Sequence, residues 1–198
     1  MKRILILFAH PNSNKSQINR KMINAVDSLE GITVNNLYEN YPDFYIDIVR
    51  EQQLLLLHDV IVWHHPFYWY SSPSLLKEWF DLVLRYGFAY GKNGNALKGK
   101  CALSVITTGG SGTAYTREGK NKFTINQFLA PFEQSANLCK MIYLAPFVVH
   151  DTYNISHSGA TSYAEQYKKL IVGLRDKKIS CNSFQHYQYA NDLLEKYV

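Results

Sequence analysis

"DVIVWHHPFYWYSSP", residues 59–73, decides the fold. Val60 to Trp63 are apolar without a polar break, the pattern of a strand covered on both faces. Phe67, Tyr68, Trp69 and Tyr70 follow, set between Pro66 and Pro73. Neighbouring side chains of an extended segment point opposite ways, so four consecutive rings cannot all enter a core. A buried strand that ends in surface rings offers a flat ligand something to rest against.

Working outward, similar apolar runs recur between stretches of helical spacing. "RILILFA" (3–9) reads as a strand, and Ser16 opens a helix whose Ile18, Met22, Val26 and Leu29 share one face. "GITVNNLYE" is a second strand and 48–58 a leucine-rich helix before the opening stretch. "PSLLKEWFDLVLRYG" is a helix with Pro73 in its first turn and Gly87 at its end. "KCALSVITT" is a strand, 124–140 a helix, "MIYLAPFVVH" a strand interrupted by Pro146, and 160–175 the last clear helix. Strands alternating with helices, each strand a short apolar run, imply an α/β fold: a doubly wound parallel sheet with helices on both faces. The reading is one domain over residues 1–176 and a weakly periodic tail, 177–198, that packs on the surface or on a partner.

Composition narrows the chemistry. The 198 residues carry 21 Lys and Arg against 16 Asp and Glu, a net charge of +5. That balance suits anionic small ligands and weighs against an acidic electron carrier. The densest basic clusters are only the lysine pairs 168–169 and 177–178, ordinary solvated helix faces, so no nucleic-acid role is expected. Cys101, Cys139 and Cys181 are odd in number and widely spaced, and read as reduced thiols. No apolar run is long enough to span a bilayer, which points to a cytoplasmic protein. No metal site is expected: His64 and His65 are neighbours on a strand and project oppositely, with no carboxylate cluster beside them.

In open parallel sheets the ligand crevice lies beyond the carboxyl ends of the strands, where strand order reverses. Three loops there carry chemistry. "HPNSNKSQIN" (10–19) can hold an anion on free N–H groups of the following helix, with Ser16 and Asn19 as donors and a partly or fully charged His10; taken alone, the loop reads better as a capped turn with a structural histidine. It contains no glycine-rich phosphate fingerprint. The aromatic stretch follows strand three. "TTGGSGTAYTREG" (107–119) follows strand four, and Gly109, Gly110 and Gly112 let backbone approach a flat ligand, or simply make a flexible turn. Together they describe an anion clamp, an aromatic wall and a backbone-lined edge, which suits a phosphate-bearing planar heterocycle such as a flavin mononucleotide.

"FAHPNSNKSQIN", "VREQQLLLLHDVIVWHHPFYWYSSPSLLKEWFD", "GFAYG" (87–91), "ITTGGSGTAYTREG" and "TYNISH" (152–157) also resemble, in that order, the flavodoxin-like NAD(P)H:quinone oxidoreductases. That group contains DT-diaphorase and the ancillary subunits of glutathione-regulated potassium-efflux systems, and the resemblance spans about residues 2–176. It implies a five-stranded sheet of order 2-1-3-4-5, a homodimer, and two-electron ping-pong transfer of hydride from NAD(P)H through flavin N5 to a quinone or similar electrophile. It implies FMN, with FAD left open. By position, His10, Ser16, Ile18 and Asn19 would hold the phosphate and ribityl chain. Pro66, Phe67, Tyr68, Trp69 and Tyr70 would line the ring, and Thr107, Thr108, Gly109, Gly110 and Tyr115 its other edge. Gln52 or Gln53 is a further candidate contact. Gly109, Gly110 and Tyr115 would serve catalysis by stabilising negative charge on the ring.

Two departures stand out. His64 replaces a common glutamine, and Asn121, which cannot take up a proton, stands where DT-diaphorase has a histidine. His150 and His157 read as folding, dimer or loop anchors. The resemblance also carries a different function, regulation of a potassium-efflux transporter, which would place the protein at the inner membrane through that partner. A one-electron carrier is a third reading, disfavoured by the positive charge and the room for a second flat ligand.

Overall fold

The structure, a computed structural model, describes residues 1–196. Each apolar run becomes a strand: β1 (Ile4–Phe8), β2 (Ile32–Asn36), β3 (Val60–Pro66), β4 (Cys101–Thr107) and β5 (Ile142–Val149). They form one parallel sheet in the order β2-β1-β3-β4-β5. The helices are α1 (Gln17–Asn24), α2 (Leu37–Asn40), α3 (Ile48–Leu57), α4 (Ser74–Val83), α5 (Ile125–Phe128), α6 (Ala130–Leu138), α7 (His157–Arg175) and α8 (Ala190–Glu195).

Alternation along the strands builds two cores. Ile4, Ile6, Phe8, Val60 and Val62 meet Met22 of α1 and Leu170, Ile171 and Leu174 of α7. Leu5, Leu7, Ile61 and Trp63 meet Leu55 of α3, Leu76 and Trp79 of α4 and Phe132 of α6 on the other face. The central strands β1, β3 and β4 are buried at every position. Unbroken apolar runs are what two covered faces require.

The second core is organised around a buried carboxylate that the sequence reading passed over. Glu51, in the first turn of α3, is fully buried. Asn35 Nδ2 donates to its two oxygens at 3.0 and 2.8 Å, Tyr41 Oη at 2.6 Å, Arg50 Nη1 at 2.6 Å and Trp79 Nε1 at 2.8 Å. A charge taken out of water needs this full set of donors. Burial, then the Glu51 hydrogen bond, pushes the Tyr41 phenol up to about 12, so it remains a donor. Four donors from β2, the loop after α2, α3 and α4 thereby fix one corner of the molecule.

Several elements depart from expectation: β2 stops at Asn36 and Leu37–Asn40 is helical, α1 ends at Asn24 before Val26 and Leu29, and α4 ends at Val83, short of Gly87. The helix expected over 124–140 is two, α5 and α6, with a break at Leu129. Pro131 is the cause: it has no N–H and its ring clashes with the carbonyl four residues back. Pro146 does not interrupt β5 but sits at a bulge, where Leu144 pairs with Leu103 and Phe147 with Val105. α7 begins at His157, capped by Ser156, three residues before the expected start.

The tail belongs to the core. Cys181, Phe184, Ala190, Leu193 and Leu194 are buried in the first core, and Asn191 bonds both the N–H and the C=O of Val148 in β5 at 2.9 and 3.1 Å. Tyr197 and Val198 lie outside the described residues. Cys101 and Cys181 form a disulfide with Cα atoms 6.6 Å apart, which overturns the expectation of three reduced thiols. Spacing of 80 residues along the chain hides this adjacency, because the tail returns to the start of β4. Cys139 alone is free; burial pushes its thiol up to about 11.

Glu51→Ala leaves the buried donors of Asn35, Tyr41 and Trp79 without their acceptor and takes away the carboxylate partner of Arg50, and is expected to cost about 3–5 kcal/mol in urea unfolding. Cys101→Ser with Cys181→Ser opens a long loop and is expected to cost about 2–4 kcal/mol. In a chain of this size that lowers the melting temperature by on the order of 10 °C. An unchanged transition after reduction would show that the link adds nothing to the packing of α8.

Candidate functional site

Strand register brings the three loops together. Phe8 pairs with His64, His64 with Val105, and Pro66 with Thr107, so β3 and β4 end at one level and β1 two residues before it. α1 then turns to one face and α4 to the other, which leaves a crevice between them. A cavity of about 610 Å³ fills it, within the range of about 300–1,000 Å³ usual for cofactors.

Of the expected residues, His10, Ser16, Ile18, Asn19, Pro66, Phe67, Tyr68, Thr107 and Gly109 line this cavity. The anion end is built on the start of α1. Ser16 caps the helix by accepting the N–H of Asn19 at 3.3 Å, while the first N–H groups of a helix have no intrahelical acceptor. Asn12, Lys15 and Gln17 also line this end, and Lys15 supplies the positive charge. His10 does not carry the charge expected of it. Burial lowers its pKa, and its Nδ1 accepts the Asn12 N–H at 3.0 Å, which fits a neutral ring.

The aromatic wall is two rings, not four. Phe67 is buried against Tyr115 and Phe128, and Tyr68 stands half exposed over His10 at 6.2 Å between ring centroids. The segment 68–70 is not extended: Trp69 and Tyr70 have φ of 50° and 62°, a left-handed turn uncommon for bulky residues. This turn throws Trp69 outward, 93% exposed, and stacks Tyr70 on Phe128, so neither lines the cavity. The Tyr70 hydroxyl donates to Asn121 Oδ1 at 3.3 Å, which places Asn121 at the outer rim.

On the third side, Gly109 lines the cavity, but Thr108, Gly110 and Tyr115 lie one layer back. Thr108 turns its hydroxyl to the Gly110 carbonyl at 2.8 Å, and Tyr115 is buried beside Phe67 and His150. A Cβ on Gly110 would crowd the Tyr115 ring at 3.2 Å, so that glycine makes room for Tyr115. A Cβ on Gly109 would strike the ring of Tyr153, an exposed residue that also lines the cavity. Tyr153, Thr152 and Ile155 form a fourth wall between β5 and α7. The "TYNISH" motif marks this segment, but the sequence gives a role there only to His157, as an anchor. Gln52 and Gln53 are removed from the site: Gln52 bonds the Val83 carbonyl at 3.0 Å beside α4, and neither lines the cavity.

His64 and His65 do project oppositely. His64 Nε2 lies 2.9 Å from Asn19 Oδ1 and its Nδ1 3.3 Å from the Tyr167 hydroxyl. His65 donates from Nδ1 to the Pro66 carbonyl at 2.9 Å and stacks on Phe132. Burial drives their pKa values down to about 3 and about 4. His150 meets Thr108 Oγ1 at 3.1 Å, and His157 meets Lys21 Nζ at 3.1 Å at the start of α7. A second cavity of about 320 Å³ between α4 and α6 is lined by Phe80, Leu84, Phe132 and Leu138. Ser71, Ser72, Ser135 and Lys77 also line it, and Lys77 is paired with Asp81.

Comparison with known proteins agrees with this geometry. A family model described as having a flavodoxin-like fold matches residues 2–171. The glutathione-regulated potassium-efflux system ancillary protein KefG of Enterobacter sp. (strain 638) is 45% identical over 170 residues, 86% of this chain and 93% of that protein. The structure of general stress protein 14 from Treponema denticola, in complex with FMN, superposes with a TM-score of 0.82 at 35% identity, covering 88% of this chain and 98% of the other. The NADPH-quinone reductase of P. pentosaceus gives 0.77 at 34% identity, with coverage of 84% and 96%.

The buried histidines predict an acid-sensitive fold. Each has a folded pKa below its unfolded 6.5, so the unfolded chain takes up the proton first. Their stabilisation is complete above pH 6.5 and is lost as pH falls toward about 4 and about 3; His10, His58 and His150 shift the same way. Melting temperature should therefore decline from pH 7.5 to pH 5, and less steeply in His64→Gln. A flat profile would show that the imidazoles protonate without resistance.

Proposed function

The chain belongs to the family with the flavodoxin-like fold, and from that membership we propose that it is a flavin-dependent NAD(P)H:quinone oxidoreductase with FMN as cofactor. The observation that carries the reading is the convergence of residues 10–19, 66–68 and 107–109 on one cavity. The residues present fit the cofactor. One end offers Lys15 and the start of α1 for a phosphate, and the other offers aromatic faces beside a glycine whose side chain would intrude. The FMN in the T. denticola relative supports FMN over FAD.

Bound there, the flavin would supply two-electron exchange between reduced nicotinamide and a quinone. The chain's own part is placement and field. Lys15, the Ser16 hydroxyl and the helix N–H groups would hold the phosphate end, with Thr107 bonded to Asn19 behind it. Ile18, Pro66, Phe67 and Tyr68 bound the remainder and exclude water. Gly109 would bring backbone to the ring edge, and Gly110 and Tyr115, one layer back, would help to stabilise negative charge there. Tyr68 and Tyr153 frame the mouth, which admits nicotinamide and then quinone in turn. His64 and His65, held neutral by burial, take no part in proton transfer near pH 7.

The potassium-efflux relatives favour a second reading, in which this flavoprotein docks on and activates a transporter. No helix among the described residues is long and apolar enough to cross a membrane, so attachment to one would go through that partner. Both readings place the chain in the cytoplasm and pair it as a homodimer.

Purified protein supplied with FMN should turn yellow, bleach anaerobically with NADH or NADPH, and recolour with a quinone. Gly109→Val should weaken FMN uptake about tenfold or more, because the added methyls displace Tyr153 into the slot. Wild-type protein that takes up no flavin would refute the oxidoreductase. Flavin uptake without turnover, with co-purification of a transporter, would favour the regulator.

A further inference from the structure

The phosphate end of the cavity is backed by a chain of buried polar groups that ends far from solvent. Asn19 is 2% exposed, and its Nδ2 donates to Ser16 Oγ at 2.9 Å and to Thr107 Oγ1 at 3.0 Å. Ser16 Oγ also accepts the Asn19 N–H, so both of its lone pairs are filled from the protein side. Its own proton is left to point into the cavity. Asn19 Oδ1 faces His64 Nε2 at 2.9 Å, and His64 Nδ1 faces the hydroxyl of Tyr167, which like His64 is wholly buried.

An amide has two polarities. Rotated by half a turn, Asn19 would present its oxygen to Ser16 and Thr107 and draw their protons away from the cavity. Its NH2 would then need an acceptor at His64 Nε2. The tautomer of His64 therefore decides which way Asn19 points. With hydrogen on Nε2, His64 donates to Asn19 Oδ1, and its bare Nδ1 accepts from Tyr167. Phe8 and Tyr167 hold the ring edge-to-face at 5.2 Å on either side, so it cannot turn away.

We propose that His64, held by Tyr167, is a positioning residue that fixes the polarity of the Asn19 amide so that Ser16 presents a hydroxyl donor to the phosphate of the bound nucleotide. The proposal rests on the flavin reading above and adds to it a role for a residue that touches no ligand. Glutamine at this position carries an N–H that reaches the same amide oxygen, so His64→Gln keeps the polarity. His64→Leu removes the donor and frees Asn19 to rotate. Tyr167→Phe removes the partner that favours the tautomer while keeping the ring that packs the core.

The experiment is a titration of FMN and of riboflavin, which lacks the phosphate, into flavin-free protein, read by quenching of flavin fluorescence. The expected result is about tenfold weaker FMN binding in His64→Leu and a smaller loss in Tyr167→Phe, from weakened hydrogen bonds to a charged group. Riboflavin affinity should stay within about twofold, and His64→Gln should bind FMN within about threefold of wild type. Equal weakening of both flavins would reveal mere support of the fold and overturn the proposal. So would unchanged FMN binding in both His64→Leu and Tyr167→Phe, and Tyr167→Phe alone decides should His64→Leu not fold. Wild-type protein that binds neither flavin would instead overturn the flavin reading, and this proposal with it.

Discussion

Three neighbouring strands of a parallel sheet have to end within two residues of one another, and the rest of the molecule depends on that register. Pairing of Phe8 with His64 and of Pro66 with Thr107 sets it. Because both faces of the sheet are covered, the helix after β1 goes to one side and the helix after β3 to the other. The backbone cannot close the gap between them, so a crevice is an obligatory product of the strand order. A slip of one residue in β3 would exchange Trp63 with His64 across the sheet and put an indole beneath the anion end.

Two buried polar networks serve opposite purposes on the two faces. Around Glu51 every donor is answered inside the protein, and the result is rigidity between β2, α3 and α4. Around Asn19 the accounting is left open by design: Ser16 accepts twice and its proton goes unclaimed by the chain. Low dielectric makes both networks costly to disturb. Only the second has a free end that faces the cavity.

Much of this was legible in the sequence. Unbroken apolar runs gave the strands, and the motif order gave the crevice and most of its lining. What escaped notice depends on tertiary position. Cys101 and Cys181 are remote in sequence yet bonded in space, since nothing in their spacing tells where the tail returns. Trp69 and Tyr70 were read as a wall because an extended backbone was assumed, whereas a left-handed turn carries them out of the cavity. Tyr153 fills the space that Gly109 leaves, a relation between two loops that no local pattern encodes. Glu51 carries no local signal of its burial, which depends on Trp79 and Asn35 closing over it from other elements.

The grip of Asn191 on Val148 bears on how copies of this chain can associate. An outer strand with unanswered main-chain groups is a template on which a second sheet can grow, and such growth leads to fibres. At Val148 both groups are already taken by a side chain from α8. That stretch of β5 is thereby barred from continuing the sheet into a neighbouring molecule, and assembly there is left to side-chain surfaces.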